Sequence, residues 1–509
     1  MRGPHNIWRL IRTGATLERT GAMVLVLDAF KAPRPLRIVA RGLAWPFQWL
    51  GHKGDVTMPP ATRALTALGP AYIKFGQILS TRPDVVGDEL AVQLRVLQDK
   101  LTPFSTDVAK KTVEEELGQP IDTIFSEFSE PVAAASIAQV HRARLVETGE
   151  EVAVKVLRPN IERAFRTDID AFYFAASVIE LLSPSSRRLH PSDVIAHFDG
   201  VVRGELDLRL EGAAAGEYSA QTINDEGFIA PKTHFFYSAR RVMTMEWAEG
   251  ISFSDVDAVD AAGLDRKAIG ERVLQLFLRH ALNDGYFHAD MHQGNLKVSK
   301  NGDIIAYDFG IMGRIDEYTR RVYAEILMGF IRRDYRRVAE VHFEAGYVPP
   351  GKDVDEFAQS LRAVGEPIFG MDATQISMGR ILSYLFEVTE RFGMETRTEL
   401  ILLQRTMVVV EGVARTMHPQ INIWDVAQPV VEDYIKQNIG PQAFLKDLTA
   451  TAQVLSRFGP KLPQLAEAAL RHQMTDHHEA PKSQNDSKIL YFGAGVLLSV
   501  GIWCLTTFL

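Results

Sequence analysis

The sequence predicts an α+β chain of two lobes, a small β-rich one followed by a larger helical one, with a helical extension in front and a transmembrane helix at the end. Three patterns carry that prediction. Strand-like segments are concentrated in a window from about Ile121 to Trp247, largely helical periodicity flanks it on both sides, and residues Ile489 to Leu509 form an uncharged apolar run. At 509 residues, 46% apolar and 24% charged, the chain is folded and long enough for more than one core. Its formal net charge of -8 gives no global attraction to nucleic acid. The only cysteine, Cys504, lies in the apolar run, which excludes an intramolecular disulfide and a cysteine-rich metal site and fits a reducing compartment.

Residues 1–61 read as a basic amphipathic arm, in which Arg2, Arg9, Arg12, Arg19, Arg34, Arg37 and Arg41 alternate with Trp8, Trp45, Phe47 and Trp49. The mixture suits anionic lipid headgroups and equally a solvated helical arm. Its first apolar run, Met23 to Leu27, comes late and is followed by Asp28, which does not fit a secretory leader. Residues 62–120 are expected as a helical extension, with periodic runs at AYIKFGQIL and LAVQLRVLQ and a further helix capped by Ser105 or Thr106. The β-rich lobe, 121–248, contains the segments FSEF, AQVHRARL and EVAVKVL, the last two joined by ETGE. Inserted in it are a helix from Pro159 to about Leu182 and one from Pro191 through Ala220, followed by strands near Phe228 and at RVMTMEW.

The helical lobe, 249–470, is interrupted by short strands at LKVS and DIIAYD; a polar linker, 471–488, leads to the apolar run 489–509. As a helix that run would rise roughly 31 Å, one hydrocarbon thickness. Lys482 and Lys488 precede it and no charge follows, so the positive-inside rule places the catalytic domain on the cytoplasmic side of the inner membrane, held by a single-pass C-terminal anchor. Gly495 and Ser499 are spaced to let two such helices approach, which allows a homodimer through the transmembrane helix.

The chemistry is concentrated in HADMHQGN, His288 to Asn295, and in the triplet Asp308, Phe309, Gly310, with a strand hairpin between them. Together they resemble a protein-kinase catalytic loop and metal-binding triplet, and the fold expected is therefore bilobal and protein-kinase-like. In that scheme Asp290 orients or deprotonates the attacking hydroxyl or water. Asn295 and Asp308 supply oxygen ligands to Mg²⁺, a hard ion that needs few from the protein because it keeps several waters. Upstream, VAVK ends in Lys155, placed to reach the α and β phosphates of ATP. Seventeen residues or so before it, where a kinase has its glycine-rich cover, stands an alanine-rich loop: Val132, Ala133, Ala134, Ala135, Ser136, Ile137, Ala138, Gln139, Val140. Alanine lacks glycine's freedom at positive φ and its methyl obstructs close backbone approach, so altered nucleotide geometry and preference are expected.

With KFGQ at Lys74, Phe75, Gly76 and Gln77, and an ExD motif at Glu205 and Asp207, these features resemble the UbiB family of atypical kinases. The resemblance implies that Lys74 pairs with Glu205, that Lys74, Gln77, Glu205 and Asp207 form a regulatory ion-pair group roofing the cleft, and that Glu211 is the partner of Lys155. It makes MTMEWAEG the linker between lobes, with backbone groups near Glu246 and Ala248 bonding the adenine. It further implies ATP hydrolysis coupled to ubiquinone biosynthesis, with membrane lipids, polyprenylated quinone precursors and biosynthetic enzymes as partners. Three departures stand out: Met291 and Gln293 replace prolines and are expected to loosen the catalytic loop, Ala138 stands where some members have glycine, and one terminal span replaces two.

After Gly310 the chain turns helical almost at once (EYTRRVYAEILMGF), without an APE motif, which disfavours a polypeptide substrate. No GxGxxG opens a strand-turn-helix unit, so direct hydroxylation lacks its equipment. A phosphotransferase acting on a lipid or protein, and a nucleotide-binding scaffold without catalysis, stay open as alternatives.

Overall fold

The computed structural model describes residues 6–29, 45–80, 86–94, 102–182, 191–369, 378–394 and 398–439, with residues 37, 38, 41, 42 and 97. The chain divides into a unit of residues 1–435 and a second of residues 436–509, of which only the first few residues are described.

The N-terminal arm folds as α1 (Ile7–Thr20) and α2 (Ala22–Ala29), followed by a 3₁₀ turn at Trp45–Leu50. Several of its described arginines are spent within the protein. Arg9 pairs with Asp168, Arg19 donates to the Gly51 carbonyl at 2.6 Å, and Arg41 reaches Glu18 at 3.1 Å. Trp8, Trp45 and Trp49 are exposed. At Gly51 the backbone runs so close to α1 that a Cβ would stand 2.5 Å from the Ala15 carbonyl oxygen.

The extension contains α3 (Pro60–Leu68), α4 (Pro70–Ser80), α5 (Asp88–Leu94) and α6 (Thr106–Leu117). Prolines open α3 and α4, where a missing N–H costs nothing. Ser105 caps α6 by accepting from the Val108 N–H, and Gly118 ends it at φ 69°. Gly76 of the KFGQ segment sits where α4 meets Leu65 and Leu97, and a Cβ there would lie 2.5 Å and 2.4 Å from their methyl carbons. Gly76→Ala is expected to destabilise by about 1 kcal/mol net, overpacking outweighing the gain in helix propensity. Denaturant unfolding of the two proteins measures it, and a stabilised variant would contradict the packing argument.

In the β-rich lobe a short helical turn, α7 (Ile121–Ile124), precedes β1 (Phe125–Ala134), β2 (Ala138–Leu145) and β3 (Glu151–Leu157); β4 (Phe228–Ile229) and β5 (Val242–Glu246) follow the inserted helices. The main sheet is antiparallel in the order β1-β2-β3-β5. Strand alternation in β3 buries Val152, Val154 and Val156 in one cluster with Ala109 and Val113 of α6, which leaves Lys155 on the opposite face. The inserted helices are three, α8 (Ile161–Leu182), α9 (Pro191–Glu205) and α10 (Leu208–Gln221). The expected single helix from Pro191 to Ala220 is thus two, broken because Asp207 turns its carboxylate onto the Arg209 N–H and becomes an N-cap. Phe75 of α4 is wedged between Phe172 of α8 and Phe198 of α9, with ring centroids 5.2 and 5.1 Å away.

The helical lobe begins with β6 (Ile251–Ser252), α11 (Val256–Ala261) and α12 (Arg266–Arg279), continued by a π turn at His280–Asp284. Then come β7 (Tyr286–His288), β8 (Leu296–Val298), β9 (Ile304–Ala306) and β10 (Met312–Arg314). The order β4-β9-β8-β6 makes one small sheet and β10-β7 another. The remainder is helical: α13 (Glu317–Ile331), α14 (Tyr335–Glu344), α15 (Val354–Phe369), α16 (Met378–Phe392), α17 (Thr398–Met417) and α18 (Ile423–Asn438). Val273, Leu274 and Phe277 of α12 share the central core with Met407, Val410 and Ala414 of α17.

His342 of α14 is buried between Tyr347 and Phe357, donates from Nδ1 to the Val338 carbonyl at 2.7 Å, and is held by burial at a pKa of about 4. Its folded pKa lies below the unfolded value near 6.5, so between these pH values the unfolded chain binds more protons and stability falls as pH falls. The loss from this residue is on the order of 3 kcal/mol. Unfolding midpoints followed from pH 7 down to about 4 are expected to be less pH-dependent in His342→Leu. Equal slopes would rule out this contribution.

Among the described residues no helix is long and apolar enough to cross a membrane. The long α8 carries Glu162, Arg163, Arg166, Asp168 and Asp170, and α17 carries Glu399, Arg405, Glu411 and Arg415, charges that a bilayer interior would not accept. No described helix therefore supports the expected C-terminal transmembrane helix or the localisation in the inner membrane by a single-pass anchor. Residues 489–509, the linker 471–488 and the pairing through Gly495 and Ser499 lie outside the described residues.

Candidate active site

Strand β3, helix α10 and the triplet after β9 bring three charged side chains together. Lys155 Nζ donates to Glu211 Oε1 at 2.6 Å and Oε2 at 2.9 Å, and stands 3.7 Å from Asp308 Oδ2. Glu211 reaches Lys155 because the N-cap at Asp207 starts α10 there and sets its first turn against β3. Burial works against the ammonium of Lys155, but Asp308 and Glu211 more than offset it and hold its pKa above the ordinary lysine value. In return Lys155 draws the Asp308 carboxyl below the ordinary aspartate range, helped by the Gly310 N–H, which donates to Asp308 Oδ1 at 3.1 Å.

The catalytic-loop segment is organised by its own main chain. The Asp290 carbonyl accepts from Asn295 Nδ2 at 3.0 Å and from the His292 N–H at 2.9 Å, and the Asp290 N–H donates to His288 Nδ1 at 3.0 Å. His288 is fully buried, which lowers its pKa, and its ring lies tilted against Phe309 with centroids 5.7 Å apart. With Nδ2 committed, Asn295 keeps its amide oxygen for another partner, while the Asp290 carboxylate stays partly exposed with only long contacts to Asn295 and His292. At the two positions expected to loosen the loop, Met291 is buried in the core and Gln293 Nε2 donates to Thr416 Oγ1 of α17 at 2.7 Å, contacts that work against loosening.

Lys74 of α4 pairs with Glu205, the last residue of α9, at 2.6 Å. Asp207 does not join them. Its carboxylate is taken by the Arg209 side chain at 2.6 and 2.8 Å, a correction that follows from the helix break between Glu205 and Leu208. Gln77 lies on the same helix as Lys74, and its carbonyl accepts from Ser80.

The alanine-rich loop connects β1 to β2. Val132 and Ala133 are exposed at its outer edge, and Ala134, Ile137 and Val140 are half-buried. Ala135 closes the turn by donating to the Ala138 carbonyl at 2.8 Å, and Ser136 is buried. The Gln139 side chain is committed within the lobe, which corrects its expected role: it is fully buried and holds both the N–H and the carbonyl of Phe104, at 3.0 and 3.2 Å. Arg158, which no sequence motif singles out, grips the Ala135 carbonyl with Nε at 3.1 Å and Nη2 at 2.9 Å and donates to the Thr102 carbonyl as well. The loop is thereby tied to the chain leaving the extension. Behind Phe309, Tyr218 donates to His280 Nδ1 at 2.7 Å and His280 Nε2 donates to Asp225 at 2.8 Å, a buried relay that no motif announces.

In the linker between the lobes, the Glu246 N–H already donates to the Lys232 carbonyl at 2.9 Å, and the Ala248 carbonyl accepts from Lys297 Nζ at 2.8 Å. One backbone group at each expected adenine-binding position is therefore engaged within the protein in this conformation.

A β-sheet lobe carrying a buried Lys–Glu pair, set against a helical lobe whose loop ends in an Asp–Phe–Gly triplet, defines a protein of the kinase-like class. Comparison with known proteins agrees. Residues 96–342 match the ABC1 atypical kinase-like domain and residues 361–422 the UbiB helical domain. The chain is 38% identical over 483 residues to "Probable protein kinase UbiB" of Enterobacter sp. (strain 638), a match covering 91% of this chain and 88% of that protein. With the protein of the same name from Aeromonas hydrophila the identity is 36%, over 99% of this chain and 94% of the other. A solved structure titled as the complex of Rv3197 with erythromycin from Mycobacterium tuberculosis shares the fold, with a TM-score of 0.52 at 23% identity over 70% of this chain and 90% of that one. The chain belongs to the UbiB family of atypical kinase-like proteins.

Proposed function

We propose that this protein is a Mg²⁺-dependent ATPase of the kinase-like class that supports ubiquinone biosynthesis through ATP-driven handling of polyprenylated quinone precursors. The observation that carries the reading is the buried Lys155–Glu211 pair with Asp308 3.7 Å from the same ammonium. That arrangement positions a phosphate-binding cation. Asn295 and Asp308 offer a hard ion two oxygen groups, which suits Mg²⁺ arriving with its nucleotide and its waters. Among the described residues no group of three or more His, Cys, Asp or Glu side chains could hold a metal without one. Bound there, Mg²⁺ would neutralise phosphate charge. The chain itself does the rest: Lys155 holds the α and β phosphates, Asp290 orients the attacking water and accepts its proton, and the Lys74–Glu205 pair closes the extension over the cleft.

The family's name links its members to ubiquinone, and α13 starts at Glu317, soon after Gly310, without a long segment on which a peptide could dock, which favours hydrolysis over phosphorylation of a protein. The test is phosphate release from ATP by the purified protein with Mg²⁺ and a phenolic headgroup mimic. Release above an Asp290→Asn control is expected; none above it would end the ATPase reading, and label transferred to a lipid or protein would establish the phosphotransferase instead. Quinone profiling of cells lacking the protein is expected to show an accumulated prenylated precursor, and an unchanged profile would remove the assignment to ubiquinone.

A further inference from the structure

Lys297 lies two residues beyond Asn295, on β8, where strand alternation sends its neighbours Leu296 and Val298 into the core and turns Lys297 to the other face. Its ammonium is enclosed on two sides. Trp247 of the interlobe linker stands on one, with the ring centroid 5.2 Å from Nζ, and Tyr307, the residue before Asp308, on the other at 5.1 Å. Nζ donates to the Ala248 carbonyl at 2.8 Å. Among the described residues no carboxylate pairs with this half-buried cation, and burial alone lowers its pKa. Arg142 stacks over the same Trp247 ring at 5.0 Å, so the indole is held in place by a second cation and cannot swing away freely.

These contacts put Lys297 on the floor of the nucleotide cleft, between the linker that would bind a base and the triplet that would bind phosphates. The carbonyl that could accept adenine's amino group is already used by a lysine donor. Two donors compete for it when adenine enters, whereas a base edge rich in acceptors, such as O6 and N7 of guanine, would meet the ammonium directly.

We propose that Lys297 is a specificity-determining residue of the base subsite, which lets this protein bind guanine nucleotides as readily as adenine nucleotides by presenting a donor where the interlobe linker would otherwise present an acceptor. The proposal rests on the nucleotide-binding reading of the cleft. It places specificity in a side chain of the floor and leaves the linker backbone in a secondary part. Lys155, Glu211 and Asp308 bind phosphates whichever base is attached.

Equilibrium titration of the full chain with Mg²⁺ and non-hydrolysable analogues of ATP and GTP tests it. Wild type is expected to bind the two within about threefold of each other, and Lys297→Met, similar in length but without a donor, to favour the ATP analogue by about tenfold or more. Lys297→Arg, which keeps a donor, is expected to stay close to wild type, and Lys297→Leu, also without a donor, serves where Met fails to fold. A wild-type preference for ATP above about tenfold, or a ratio that Lys297→Met leaves unchanged, overturns the proposal while nucleotide binding itself stands. Failure of wild type to bind either analogue overturns both, and is recognised as such because no variant comparison is then needed.

Discussion

Lys155→Met is expected to lower stability by about 3 kcal/mol and to abolish nucleotide turnover, whereas Lys155→Met/Glu211→Met recovers most of the stability and none of the turnover. Removing the lysine alone strands Glu211, whose side chain is only 11% exposed, without its bidentate partner. A buried charge left alone costs more than the pair contributes, and replacing both members by apolar groups of similar volume removes that penalty. Chemical unfolding and phosphate release, measured on all three proteins, separate the two effects. If the single variant were as stable as wild type, the pair would not be the buried contact described here. The same pair makes a pH prediction. Because the Lys155 pKa is raised on folding, its contribution is fully present below the ordinary lysine value and is lost only as pH rises beyond it; that of Asp308, whose pKa is lowered, is lost as pH falls below the ordinary aspartate range.

Asp290→Asn is expected to reduce turnover by about 10²- to 10⁴-fold, the range of a general base, while changing stability by less than about 1 kcal/mol. The asymmetry follows from which atoms of residue 290 do structural work. Its carbonyl and N–H fix Asn295, His292 and His288, and asparagine retains both. Its carboxylate is partly exposed, with Asn295 Nδ2 at 3.5 Å and His292 Nε2 at 3.7 Å as its nearest partners. Steady-state kinetics beside a thermal melt checks both halves. A large fall in melting temperature would show that the carboxylate is structural, and unaltered turnover would show that the proton goes elsewhere.

Much of the site could be read along the chain because each role needs a particular residue type at a particular spacing. A lysine ending an alternating strand, an Asp and Asn five apart, and an Asp before Phe–Gly are local patterns, and the structure brings Lys155, Glu211 and Asp308 together and bonds Asn295 to Asp290. The grouping of Asp207 with Lys74 failed for a physical reason: a short acidic side chain can cap a helix as well as decorate one, and only the chain direction after Glu205 decides which. Gln139 fared similarly, since a buried amide in a β-strand takes whichever backbone groups the neighbouring segment leaves unpaired. Arg158, Gln293 and Lys297 bond to partners tens to more than a hundred residues away, so nothing near them in the sequence distinguishes them from solvated side chains.

By itself, then, the sequence determined the order of sheet and helix, the chemical groups available to a nucleotide, and membership in a kinase-like class, because these depend on periodicity and on side-chain types at short range. The tertiary structure decided which carboxylate meets which cation, how the alanine-rich loop is clamped through Arg158, and that Lys297 is bonded to the interlobe linker. Those outcomes depend on distances between segments remote in the chain, set by the packing of α4, α8 and α9 around Phe75 and of α12 against α17.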